Sequence, residues 1–185
     1  MQDIKIIFCV LSSFFGMEDA KIAADKTTVA INPKEQYIEI IQENLFVFTE
    51  SENDTSLAFN SWDNLVNWKE RNIPWAKELD SFSHKSLKFT QRKKTIRPLL
   101  KLSYSNEYDL MEMGISFSAE ENKFYLVDNP SYNIKTKNGY IVENYWVFNG
   151  DNAFSFTIEP FLRLPEKYQK LKHPLKELLV KHKKE

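Results

Sequence analysis

From Lys85 to Phe161 the chain alternates apolar and polar residues with a period of two, in short runs divided by turn-forming residues. Successive side chains of an extended strand point to opposite faces, so the pattern predicts strands that each bury one face. KSLKFTQ and TIRPLLKLSY flank a basic turn at Arg92, Lys93 and Lys94, and ISFSAEENKFYLV reads as a hairpin around Glu120, Glu121 and Asn122. NIKTKNGYIVENYWVF contains an Asn138-Gly139 turn. Upstream, TTVAIN and QYIEIIQENLFVFT on either side of Pro33 form a further hairpin, although Ile38, Ile41 and Leu45 also fit helical spacing.

Helical signals are fewer. Asp54 and Thr55 are N-cap candidates ahead of LAFNSWDNLVNWKERN, in which Ala58, Trp62, Leu65 and Val66 share a face and Pro74 sets the limit. Trp62 and Trp68, six residues apart, do not share a face well. EYDLMEMG gives one or two helical turns ended by Gly114. Glu166 to Glu185 reads as a helix broken or restarted at Pro174, with Leu175, Leu178 and Leu179 as its apolar stripe. The fold class expected is α+β: a mostly antiparallel meander or curved sheet of six to eight strands, with one helix near the N-terminus and one at the C-terminus.

The chain of 185 residues, 42% hydrophobic and 14% aromatic, is long enough for one domain with a real core, placed at residues 25–185. Residues 1–24 read as a signal peptide, because Ile6 to Gly16 is an eleven-residue apolar run followed by polar and small residues, with a cleavage point after Ala24. The flanks fit less well: Lys5 is the only basic residue ahead of the run, and Ile22 occupies the −3 position. The alternative is a buried first element of a cytoplasmic domain. Export would remove Cys9, the only cysteine, and leave a mature chain without thiols or a transmembrane segment, in the extracellular space or the periplasm. Lys outnumbers Arg by 21 to 4, the habit of an AT-rich bacterial genome.

Local catalytic motifs are missing for a physical reason. The four glycines, at 16, 114, 139 and 150, lie too far apart to build a phosphate loop or a nucleophile elbow. One cysteine rules out a thiolate metal cluster within one chain, and His84, His173 and His182 lack metal-ligand spacing, so neither metal nor cofactor is expected. Carboxylates need no local motif, which keeps Asp109 with Glu112, Glu120 with Glu121, and Asp151 near Glu159 in view, each with a surface role as the simpler reading.

Two features carry binding potential. Lys85 to Lys101 holds seven basic residues and no acid, while residues 1–84 hold 14 acids and 7 bases. Alternation would set Lys88, Arg92, Arg97 and Lys101, with the turn residues Lys93 and Lys94, along one basic ribbon. That ribbon is either a solvated edge or a contact for an acidic protein, polyanionic glycan or lipid headgroup. With a net charge of −1, nucleic acid is not an expected partner. The second feature is NYWVFNGDNAFSFTIEPF, Asn144 to Phe161. Phe154, Phe156 and Ile158 belong to the core. A two-residue turn at Asn149-Gly150 would put Tyr145 beside Phe154 and Trp146 and Phe148 on the opposite face, and an odd loop would reverse the assignment. The opposite face is either packed into the core or open, and Trp146, Tyr145, Phe148 and Trp75 are the candidates to meet a ligand or partner. The functional expectation is a secreted or periplasmic, non-enzymatic binding protein acting through a β-rich surface. A carrier of a small apolar ligand in a curved-sheet cavity and a hydrolase with dispersed carboxylates are the alternatives.

Overall fold

The computed structural model describes residues 22–67, 79–92 and 95–182, without the side chains of residues 91 and 92. The N-terminal apolar run, Trp68, Trp75, Lys93 and Lys94 lie outside the described residues. The strands β1 (Ile22–Asn32) and β2 (Tyr37–Phe48) form the first hairpin and lead to helix α1 (Glu52–Val66). β3 (His84–Arg92) and β4 (Thr95–Ser103) form the second. A 3-10 helix, Glu107–Met113, precedes β5 (Ile115–Ser118) and β6 (Lys123–Val127). Then come β7 (Lys135–Thr136), β8 (Gly139–Val142), β9 (Tyr145–Asn149) and β10 (Phe154–Ile158). The described chain closes with α2 (Glu166–Gln169), β11 (Lys172–Pro174) and α3 (Leu175–His182).

The fold is α+β and mostly antiparallel, as the alternation implies. A seven-stranded sheet runs β3-β4-β2-β1-β10-β7, with β11 added beside β2; a second sheet of four strands runs β5-β6-β9-β8. Within the Gln36–Thr49 segment Tyr37–Phe48 is strand, paired with β1 on one side and β4 on the other. Its mixed periodicity has a local cause. Asn44 takes φ 56°, and beyond it the buried set changes phase, from Ile38, Ile40 and Gln42 to Leu45 and Val47. β1 changes phase with it, from Ile31, Val29 and Thr27 to Ala24 and Ile22. A break of phase within one strand places Ile38 and Leu45 seven residues apart and so imitates a helix.

The phase change separates two apolar clusters. The larger joins the inner faces of both sheets: Val29, Ile38, Leu100 and Phe156 meet Ile115, Phe124, Leu126 and Phe148. The smaller lies at the other end, where Ile22, Leu45, Val47 and Ile96 pack with Ala58 of α1 and Leu175 of α3. Trp62 and Phe89 touch both clusters, with rings edge to face at 5.2 Å. The cap of α1 is Ser51, not Asp54 or Thr55. The Ser51 side chain accepts from the Asp54 N–H while the Asp54 carboxylate accepts from the Ser51 N–H. Asp54 thus serves three residues inside the cap, the reciprocal arrangement of a capping box. Gly114 ends the 3-10 helix at φ 72°, the left-handed region that glycine enters at little cost.

Two turns differ from the sequence reading. Asn138-Gly139 does not close a hairpin, because β7 pairs with β10 in the large sheet while β8 pairs with β9 in the small one. The reversal lies instead at Glu143-Asn144, where Val142 faces Tyr145 and Glu143 takes φ 53°. Asn149-Gly150 joins strands of different sheets, so β9 and β10 never pair. Trp146 and Phe148 therefore do not lie away from Phe154 and Phe156. The four face one another across the inter-sheet core, and Phe148 stacks on Phe154 at 4.3 Å and 17°. Face sharing by register holds only within a sheet; between packed sheets, opposed faces meet. Gly150 serves close approach: its N–H donates to the Asn122 carbonyl at 2.8 Å, and a Cβ there would come within 2.1 Å of Asn122 Oδ1.

Candidate binding face on the small sheet

The register of the small sheet assigns every side chain to one of two faces. Phe124, Phe148 and Gly139 form one row and Leu126, Trp146 and Ile141 the next, both on the side of the core. Gly139 is required there, because a Cβ would come within 2.7 Å of the Phe148 ring. On the outer side the rows are Ser116, Tyr125, Val147 and Tyr140, then Val127, Tyr145 and Val142. Val127, Tyr140, Ile141, Val142 and Tyr145 are among the exposed large apolar or aromatic residues, and Tyr125 is half-buried. Val147, set between two tyrosines, is only 1% exposed despite facing outward. Tyr125 and Tyr145 meet edge to face at 6.2 Å. The result is a tyrosine–valine surface without a charge in its two rows.

Charge enters only at the rim. Lys123, on the same face as Tyr125, donates to the Glu121 carboxylate at 2.8 Å. That hydrogen bond, followed by one from the Tyr125 hydroxyl and by the Lys123 charge, holds the Glu121 carboxyl below its ordinary range. The same bond to Glu121 is the main reason the Lys123 ammonium sits above its usual value. The Tyr125 phenol is raised as well, first by loss of water around it and then by Glu121. At neutral pH the rim is a closed ion pair with a neutral tyrosine beside it.

Of the residues singled out from sequence, Tyr145 lies on this exposed face. Trp146 is half-buried beneath it, with Nε1 donating to Asp128 Oδ1 at 2.9 Å, and Phe148 is wholly buried in the core. Trp75 lies outside the described residues. Tyr125, Val127, Tyr140 and Val142 were missed. Their signal was present in KFYLV and GYIV, but it needed the Glu143-Asn144 turn to place both strands beside β9.

The β3-β4 register sets Lys88 opposite Leu99, on the same face as Arg97 and Lys101, and acids of β2 share that face. Lys88 is exposed, and Arg92 pairs with Thr95 at the end of β3. Arg97 reaches Glu43 at 3.3 Å and Lys101 reaches Glu39 at 2.5 Å, both acids on the neighbouring β2. The hydrogen bond to Glu39, then its charge, raises the Lys101 pKa. Three of the carboxylates considered for catalysis have structural roles. Asp109 accepts from the Ser105 and Asn106 N–H groups, Glu121 holds Lys123, and Glu159 holds Lys135. No group of three or more metal-ligating side chains occurs among the described residues.

Two grooves accompany these faces. One, of about 380 Å³, runs between α1 and α3 and is lined by Phe59, Trp62, Val66, Leu179, Val180 and His182. The other, of about 340 Å³, opens beside the Asn44 phase change, between Asp25, Phe46, Thr95, Lys172 and Glu177. No helix among the described residues is long and apolar enough to cross a membrane. Comparison with protein-family models, curated proteins and solved structures gives no match to this chain.

Proposed function

We propose that this is a non-enzymatic binding protein, secreted or periplasmic, that docks another protein on the outer face of its small sheet. The observation that carries the reading is the concentration of Tyr140, Val142, Tyr145 and Val127 on one uncharged, solvent-facing surface. Tyrosine is enriched at the centres of protein interfaces because it brings large apolar area with little conformational entropy to lose. A contiguous exposed apolar surface costs solubility unless a partner covers it. A polyanionic partner has less support, since it would compete with Glu39 and Glu43 for Lys101 and Arg97.

The test is Tyr125→Ser with Tyr145→Ser in the full chain, used as bait on the extracellular or periplasmic fraction of its own cells. Partner capture should be lost while circular dichroism and a cooperative melt show the variant still folded, and Lys88→Glu should leave capture intact. Unchanged capture by the tyrosine variant, or loss on Lys88→Glu alone, refutes the assignment. Export rests on the N-terminal apolar run and is tested by fractionation with N-terminal sequencing of the native protein. A chain cut after Ala24 would lack Ile22 and Ala24, which are buried against β2 opposite Val47 and Leu45. A second reading, a carrier of a small apolar molecule, is favoured by the apolar groove between α1 and α3, whose volume lies within the usual range of ligand sites. Native mass spectrometry of the protein from its own cells should then show a bound apolar species, and a bare mass counts against it.

A further inference from the structure

We propose that a second copy of this chain pairs antiparallel with β8, joining the two small sheets into one eight-stranded sheet across a two-fold axis at Tyr140. This inference concerns the edge of the sheet and does not depend on the partner assigned to its face.

The edge is open. β8 is the last strand of its sheet, and Tyr140, Ile141 and Val142 are each about half exposed. Which of its backbone groups point outward follows from the register. The Asp128 N–H donates to the Asn144 carbonyl, so even-numbered residues of β9 bond to β6 and odd-numbered ones to β8. Tyr145 and Val147 therefore bond to Val142 and Tyr140. The N–H and C=O groups of Ile141 and Gly139 point away from β9, and they have no hydrogen-bond partner among the described residues. An unpaired row of this kind is a template for another strand.

Self-pairing is selected by charge. In an antiparallel pair centred on Tyr140, each Gly139 lies opposite the partner's Ile141, which brings the outward-pointing groups of both strands into register. At each end of that pair Lys137, in the bend before β8, comes beside the partner's Glu143, in the turn after it, twice in the dimer. Both residues are exposed and neither has an ion-pair partner among the described residues. β3, an edge of the large sheet, has the opposite character. It carries Lys85, Lys88 and Arg92, and a second copy there would bring like charges together. Pairing at β8 also sets the two Tyr140 side chains side by side, where aromatic cross-strand pairs are favourable, and joins the two outer faces into one. A two-fold axis makes every contact occur twice, the usual form of a dimer.

Sedimentation of the full chain over a range of concentrations tests this. A monomer–dimer equilibrium is expected. Lys137→Glu should weaken it by about tenfold or more through like-charge contact, and Lys137→Glu with Glu143→Lys should restore it. Ile141→Pro removes an outward N–H that β9 does not use, so it should abolish dimerisation while the melting temperature and tyrosine circular dichroism report an intact hairpin. A wild-type chain that stays monomeric at all concentrations overturns the proposal. So does a dimer that Lys137→Glu leaves unchanged. The charge pair keeps the test decisive should the proline variant fail to fold, and neither substitution touches Tyr125 or Tyr145, so loss of partner capture is read separately.

Discussion

The outer faces of the two sheets are built from opposite chemistry. On the large sheet, Glu39 and Glu43 of β2 alternate with Ile41 and meet Lys101, Arg97 and Lys26 from both sides, giving a face closed by ion pairs. On the small sheet the corresponding rows are mostly tyrosine and valine, with the Lys123–Glu121 ion pair at the rim. Exposed ion pairs are worth little to stability, roughly 0–1 kcal/mol, but they keep a sheet face in water and out of contact with other apolar surfaces. The tyrosine–valine face has no such protection. Solvation is handled by charge on one sheet and by polar-tipped rings on the other, and only the second leaves apolar area for a partner.

The largest way to break this contrast is to remove the support both sheets share. Phe148→Ala empties the stacked site against Phe154 and should cost about 3–5 kcal/mol, read as a drop in denaturation midpoint with loss of order in both sheets. A sharper comparison is Val147→Ala against Glu39→Ala, one substitution on each outer face. Val147 is buried between tyrosines and should cost about 1–3 kcal/mol, whereas removing Glu39 should cost no more than about 1 kcal/mol and less at high salt. Equal costs would mean that the small sheet's outer face is as solvated as the large one.

The smallest effect concerns Tyr104, at the end of β4, whose buried hydroxyl has no hydrogen-bond partner among the described residues. Burial, followed by the nearby Glu107 charge, raises its pKa above the ordinary phenol value near 10. The folded chain thus holds the proton more tightly than the unfolded one. That contribution to stability is fully present below pH 10 and declines as pH rises above it. Tyr104→Phe should be neutral or slightly stabilising at pH 7 and should flatten the alkaline fall, seen in melting temperatures between pH 8 and 11. An unchanged alkaline fall would show that Tyr104 does not carry it, and a clear loss of stability at pH 7 would show that the hydroxyl is satisfied.

Much of this architecture could be read from residue order. Leu87, Leu100, Leu102, Phe154, Phe156 and Ile158 alternate with polar neighbours and are all buried, because the pleat leaves a strand no other way to segregate them. The β1-β2, β3-β4 and β5-β6 hairpins were likewise legible from their turns. The phase change at Asn44 was not, since a shift of one residue within a strand leaves only a blurred period. Of the candidate face, Tyr145 was legible and its neighbours were not. Their strands are brought beside β9 by a turn whose sequence, Glu143-Asn144, is a weaker signal than the Asn-Gly pairs on either side of it.

Local order determined which segments extend, which residues seek the core, and the want of closely spaced glycines and of thiols for compact catalytic motifs. Tertiary structure alone decided that β5, β6, β8 and β9 form a second sheet while β7 joins the first, that Trp146 and Phe148 look inward at Phe154, and that Lys101 and Arg97 face Glu39 and Glu43. The reason is that a two-residue period fixes sides relative to one strand only. Whether a side becomes core, ion-paired surface or open face depends on which strand lies next to it, and that is settled by pairings between residues far apart in the chain.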